Sequence, residues 1–238
     1  MQKLFLCFLF GFTVQALAAD VPAMTISEIA PGVYLHQSYH NTDDFGVVSA
    51  NGLVVVDNGK AFIVDTPWSE NDTEALVNWI KQHNYQLTGS VSTHSHEDRT
   101  AGITWLNSHA IPTYATALTN QFLDAGNKTL ATHAITENDT KLAGGLLEVF
   151  YPGAGHTLDN VVVWLPKANM LFGGCFIRSL EAKNLGYTGE ADIAQWPASV
   201  DALLGKYPNA KLVVPGHGAT GDMALVKHTK ALALAASK

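Results

Sequence analysis

The sequence predicts a single α/β domain. Three observations carry this: short apolar β-type stretches alternate with helical ones, the chain is core-rich, and no linker or repeat divides it. Of 238 residues 47% are hydrophobic and only 15% charged, against roughly 25% charged in an ordinary soluble chain. Strand character runs through residues 33–36, 45–49, 52–57 and 61–65, with Asn58-Gly59 as a two-residue hairpin turn. A helix follows over 69–83, capped by Ser69 or Asn71, with Leu76, Val77, Trp79 and Ile80 as its apolar positions. Residues 87–93 return to strand, 101–109 and 118–125 read as short helices, and 126–144 are polar and carry no clear pattern. Strands are expected over 146–151, 161–165 and 170–172, then a helix over 194–207, a strand over 211–214 and a closing helix over 222–236.

Residues 1–19 read as a cleavable export signal, leaving 20–238 as the domain. Lys3 precedes an apolar run, and Ala16-Leu17-Ala18-Ala19 offers small residues for cleavage. The apolar run is shorter than the roughly twenty residues a membrane span needs, so no membrane association is expected after signal removal. With 14 basic against 21 acidic residues and a net charge of −7, the chain lacks the basic face that a nucleic-acid partner demands. Loss of Cys7 with the signal leaves Cys175 as a lone thiol in an oxidising compartment. An inert buried thiol, an intermolecular disulfide and a metal ligand are the three readings of it.

The chemistry concentrates at predicted strand ends. Thr93-His94-Ser95-His96-Glu97-Asp98-Arg99 follows a strand, and residues two apart in an extended stretch share a face. His156 lies beyond the next sheet stretch in Pro152-Gly153-Ala154-Gly155-His156, Cys175 behind Gly173-Gly174, and His217 in Pro215-Gly216-His217-Gly218. Six metal-capable side chains are therefore expected at one rim. A structural zinc closes all four positions, whereas a catalytic one keeps one open. Splitting the set into His94, His96, His156 and Asp98, Cys175, His217 gives two open sites, and the thiolate favours zinc over Mg²⁺ or Mn²⁺.

On these residues the chain resembles the class B metallo-β-lactamases of the first subclass. Arg99 and Cys175 stand where the wider superfamily has His and a bridging Asp. The resemblance implies an αβ/βα four-layer sandwich (the metallo-β-lactamase fold), two Zn²⁺ per chain and a periplasmic, monomeric enzyme acting on small-molecule β-lactams. It implies hydrolysis of the lactam amide of penicillins, cephalosporins and carbapenems by a metal-bound hydroxide oriented by Asp98, conferring antibiotic resistance. Arg178 stands where many relatives have Lys and is expected to bind the substrate carboxylate. Segment 36–45 resembles a mobile flap offering Tyr39 and Phe45, and Asp65 resembles a carboxylate supporting the metal loop. Two departures stand out. Tyr187, in Gly186-Tyr187-Thr188-Gly189, replaces a common Asn and is expected to contact substrate as a donor or as a wall. Ser95 replaces a common aromatic and is expected to open the groove floor. His36, His40, His83, His109, His133 and His228 read as packing or surface residues, and Trp79 and Trp105 as core. A thioester or lactone hydrolase on the same scaffold, and a non-catalytic zinc protein, are the competing readings.

Overall fold

The computed structural model describes residues 21–238; the expected export signal, residues 1–19, lies outside them. Two sheets face one another, with helices on both outer surfaces. The larger sheet takes its seven strands in chain order: β1 (Thr25–Ala30), β2 (Val33–Thr42), β3 (Gly46–Asp57), β4 (Lys60–Val64), β5 (Gln86–Val91), β6 (Thr113–Thr116) and β7 (His133–Ile135). Its first four strands pair antiparallel and the rest parallel. The switch falls where α1 (Glu70–Gln82) begins to supply crossovers, since parallel neighbours need a long return connection. The smaller sheet has the order β12 (Leu212–Pro215), β11 (Met170–Gly174), β10 (Val162–Leu165), β9 (Leu147–Phe150), β8 (Thr140–Leu142).

The side-chain alternation of the strands explains the layers. Leu53 and Val55 of β3, Phe62 and Val64 of β4, Val163 and Leu165 of β10, and Met170 and Phe172 of β11 pack in one cluster between the sheets. Their neighbours Val54 and Ile63 turn the other way, onto Leu76, Val77 and Ile80 of α1 and Leu106 of α3 (Ile103–Ser108). Val162, Leu171 and Val213 pack outward against Trp196, Val200 and Leu203 of α5 (Trp196–Lys206) and Leu225 and Val226 of α6 (Met223–Ala236). This is the αβ/βα sandwich that the resemblance implies. No helix among the described residues is long and apolar enough to cross a membrane.

Several local expectations hold in detail. Ser69 is the cap of α1, its hydroxyl accepting from the Asp72 N–H at 3.0 Å. Asn58 and Gly59 both take positive φ, 49° and 74°, as a tight hairpin between twisted strands requires. Trp79 and Trp105 pack against the α1 cluster. Other elements differ. The stretches 45–49 and 52–57 are one twelve-residue strand, because Ala50 and Asn51 between them pair with Ser38 and Gln37 of β2; next to them Gly52 makes room for His36, since a Cβ there would lie 2.3 Å from its Nε2. The helix expected over 101–109 is the shorter α3, and a separate single turn, α2 (Glu97–Thr100), precedes it. Within 126–144 lie β7 and β8, three residues each, too short to show an alternation. The 9-residue helix α4 (Ala117–Ala125) begins at its Thr116 cap.

Candidate metal centre

The rim is assembled by a frame of buried polar groups before any ligand enters it. Asp65 closes β4 in a left-handed conformation, φ 58°, and is fully buried. Its carboxylate accepts from the Thr93 N–H at 2.7 Å, from Thr93 Oγ1 at 2.9 Å and from Arg99 Nη1 at 3.3 Å. Burial pushes this carboxyl up to about 7, against the pull of Arg99 and the two Thr93 donors. The segment from Thr93 to Arg99 is thereby tied at both ends to one side chain, the supporting role that the sequence assigns to Asp65. Beneath it, His36 is buried with Nε2 3.0 Å from the Asp65 carbonyl oxygen, a packing histidine as expected.

Arg99 is the centre of the frame and its role was not visible in the sequence. It is fully buried. Its guanidinium donates to the Asn51 carbonyl at 2.5 Å, the Gly216 carbonyl at 2.9 Å and Cys175 Sγ at 3.0 Å, and pairs with Asp98 Oδ2 at 2.8 Å. Asn51 of β3 reaches the same loop, its amide donating to the carbonyls of Pro215 at 2.8 Å and Gly218 at 2.9 Å. A long planar donor set is what can satisfy acceptors from several strands at once. Arg99 thus draws the end of β11 and the end of β12 onto the His94–Asp98 segment.

All six expected side chains converge. The rings of His94, His96 and His156 stand edge to face, with centroids 4.6, 4.9 and 5.1 Å apart. His156 Nε2 lies 3.2 Å from His96 Nδ1, and His94 Nε2 is buried with no hydrogen-bond partner. Beside them Cys175 Sγ is 3.4 Å from Asp98 Oδ2 and 3.2 Å from His217 Nε2, which is 3.3 Å from Asp98 Oδ2. Three overlapping groups have ligand atoms within 4.8 Å of one another: His94, His156, Cys175; His94, His96, Asp98; and Asp98, Cys175, His217. The last is one of the two predicted triads; the three histidines meet through their ring contacts. Gly216 makes room, since a Cβ there would come 2.7 Å from the Cys175 sulfur.

The protonation states suit a cation. Burial, reinforced by the neighbouring imidazoles, holds His94 and His156 well below the usual histidine range, so their lone pairs are free at neutral pH. Burial alone would raise Asp98, but the Arg99 charge and the His217 contact overcome it and hold the carboxyl well below its usual range. Burial pushes the Cys175 thiol far up, with Asp98 and Asp65 adding to the effect against Arg99; a bound metal reverses this by displacing the thiol proton. Imidazole nitrogens, one carboxylate and one thiolate form a set that fits zinc. The orphaned His94 nitrogen is the kind of buried atom that a bound cation would satisfy.

Above the centre lies an open groove of about 700 Å³, whose walls include Phe45, Trp68, His96, Arg178, Tyr187 and Glu190. Phe45, 58% exposed at the turn between β2 and β3, lines the groove; Tyr39 is not on its wall. Trp68 lies between that hairpin and the centre, stacked on His40 at 5.2 Å and 6.2 Å from the His217 ring. Arg178 reaches the groove beneath Gly186, where a Cβ would lie 3.0 Å from its terminal nitrogens, and burial lowers its pKa. The Tyr187 ring stands 5.7 Å from His96. Glu190 Oε2, 2.9 Å from His96 Nε2, is a contact for which the sequence held no signal. Ser95 is buried and off the groove wall, so its small size does not open the floor.

With this geometry in place, relatives can be compared. Residues 45–217 match the family described as the Metallo-beta-lactamase superfamily. A metallo-beta-lactamase type 2 from Pseudomonas aeruginosa is 45% identical over 96% of this chain and 92% of its own length. One from Bacteroides fragilis is 34% identical over 87% and 84%. Among solved structures, the DIM-1 metallo-beta-lactamase exposed to ceftazidime is 57% identical, with a TM-score of 0.90 over 91% of this chain and 99% of its own. TMB-1 is 58% identical, with a TM-score of 0.90 over 92% and 100%. Sequence and fold agree along almost the whole described chain, and the chain belongs to the metallo-beta-lactamase superfamily.

Proposed function

We propose that the protein is a zinc-dependent β-lactamase that opens the lactam amide of penicillins, cephalosporins and carbapenems and so confers antibiotic resistance. The observation that carries this reading is the meeting of His94, His96 and His156 with Asp98, Cys175 and His217 under one open groove. Relatives of high identity bearing the name metallo-beta-lactamase support it. Zinc, when bound, supplies a Lewis acid and lowers the pKa of water from about 16 to about 7.

Two ions per chain are proposed, one for the three histidines and one for Asp98, Cys175 and His217. The protein's own contribution is positioning. Asp98, held ionised by Arg99, accepts a hydrogen bond from the attacking water and orients it. Arg178 provides a fork of donors for the carboxylate that β-lactams carry beside the ring. Phe45 and Trp68 offer apolar surface over the substrate, and Tyr187 walls the groove beside His96. The export signal at residues 1–19 would deliver a monomer to the periplasm.

The test is hydrolysis of a chromogenic cephalosporin by the purified mature protein, with metal counting, before and after dipicolinate or EDTA. The expected result is loss of turnover on chelation, recovery with Zn²⁺ and two zinc ions per chain. Turnover that survives complete metal removal overturns the reading. Faster turnover of S-lactoylglutathione than of a carbapenem would move the assignment to thioester hydrolysis.

A further inference from the structure

A second cleft, of about 410 Å³, opens on the other side of the segment that carries His156. Its walls come from the start of α4, the end of β7, the end of β9 and the approach to β10. The segment from 156 to 161 is rigidly held. Asn160 donates to the Gly153 carbonyl at 2.9 Å and accepts from the Thr157 N–H at 3.1 Å, while the Val161 N–H donates to the Thr93 carbonyl at 2.9 Å. His156 faces the metal centre from one end of this segment, and Asp159 and Val161 stand in the wall of the cleft at the other.

Asp159 is the anomaly. It is 1% exposed, and neither carboxylate oxygen has a hydrogen-bond partner. The Asp65 and Asp98 carboxylates at the metal centre are both paired with Arg99, so an unpaired buried carboxylate stands out in this molecule. A buried carboxylate calls for a donor, and a charged one most of all. The second acidic group on the cleft wall is Glu137, and among the described residues no lining side chain is basic. Tyr151 stands in the same wall with its hydroxyl donating to the Leu158 carbonyl at 3.1 Å. Burial first, then the Asp159 and Asp192 carboxylates, raise its pKa, which marks the negative field there. Leu118, Ile135, Val149 and Val161 give the wall its apolar surface, with the neutral polar Thr116, Thr136 and Asn138 beside them.

We infer that this cleft is a binding site, separate from the metal groove, for a small amphiphilic organic cation: a primary ammonium group on a hydrocarbon body. The ammonium pairs with Asp159, and the hydrocarbon covers Leu118, Ile135 and Val149. Donor count favours an ammonium over a metal ion. Among the described residues every group of three or more donors able to hold a metal lies in the histidine centre, and a hard cation wants six or more oxygens. The volume is within the usual range for a small-molecule pocket. The site does not depend on what the metal centre hydrolyses.

The experiment titrates the zinc-loaded mature protein with benzylamine, and with benzyl alcohol as the neutral isostere, following backbone amide shifts by NMR. Saturable shifts are expected at Leu118, Ile135, Val149 and Val161, with benzylamine binding at least tenfold more tightly than the alcohol. Asp159→Asn should remove that preference. Leu118→Trp, which fills the cleft while leaving the carboxylate in place, should weaken benzylamine at least tenfold, and keeps the test open if the asparagine variant does not fold. Shifts confined to the metal groove, equal binding of amine and alcohol, or binding unchanged in either folded variant would each overturn the site.

Discussion

Arg99→Lys is the sharpest test of how the metal centre is built. The parent guanidinium spans two carboxylates, a sulfur and two carbonyls from five separate stretches, 2.5 to 3.3 Å away. A lysine ammonium keeps the charge but is a point donor on a different stem and reaches only part of that set. Removing one partner of a buried ion pair costs about 3–5 kcal/mol, and each buried acceptor left unpaired about 1–3 kcal/mol. With Asp98 still paired and two of the other acceptors abandoned, Arg99→Lys should lose about 2–6 kcal/mol. That is a large part of a domain stability of about 5–15 kcal/mol, and Arg99→Ala should exceed it. The assay is urea unfolding at fixed excess Zn²⁺, paired with competition against a chromogenic chelator to read zinc affinity. Because Arg99 ties Cys175 and Gly216 to Asp98, weaker zinc binding at the Asp98–Cys175–His217 group should accompany the lost stability. A variant within about 0.5 kcal/mol of the parent, with unchanged zinc affinity, would refute the claim that this guanidinium assembles the rim.

Three further outcomes are expected. Burial lowers the His36 pKa from 6.5 to about 3, against its bond to the Asp65 carbonyl. The unfolded chain therefore takes up a proton below pH 6.5 that the folded one refuses until about pH 3, and stability present above 6.5 is lost as pH falls. Between pH 7 and 5 this amounts to about 2 kcal/mol, and His36→Gln should flatten the unfolding-versus-pH curve by that amount; an unchanged slope argues against a buried neutral ring. Gly216→Ala places a methyl 2.6 Å from the Cys175 nitrogen and 2.7 Å from its sulfur, so chelator competition should show weaker zinc binding, and parent-like affinity would mean that the loop yields. Arg178→Ala should raise KM for a carboxylate-bearing β-lactam more than it lowers kcat, measured by steady-state kinetics; an unmoved KM removes Arg178 from substrate binding.

The strands were legible because burial on both faces leaves an apolar run wherever a strand is long enough to show it. In β3 and β4 Leu53, Val55, Phe62 and Val64 face one core while Val54 and Ile63 face another. A strand buried on both faces then reads as an unbroken apolar run. Edge strands lack that signature. β7 and β8 have three residues each, too few to show any pattern of burial, and β1 is half exposed at its edge. The continuity of β3 was hidden for a related reason: only the pairing of Ala50 and Asn51 with Ser38 and Gln37 of β2 shows that the strand runs on through them.

The metal centre divides along the same line between composition and distance. His94, His96, Asp98, His156, Cys175 and His217 could be found because the chemistry they do is written in their residue type and their places behind predicted strands. Asn51, Arg99 and Glu190 act instead through what they touch, at separations of up to 167 residues along the chain. Arg99 sat in plain view beside Asp98, yet a charged residue next to a metal loop is ordinarily solvated. Its complete burial is what turns it into the bolt of the rim, and burial is a property of the folded chain. It follows that a substitution retaining all six candidate ligands can still dismantle the centre. The sensitivity of zinc affinity to Arg99 and Gly216, neither of them a proposed ligand, is therefore a more searching measure of this architecture than removal of any one histidine.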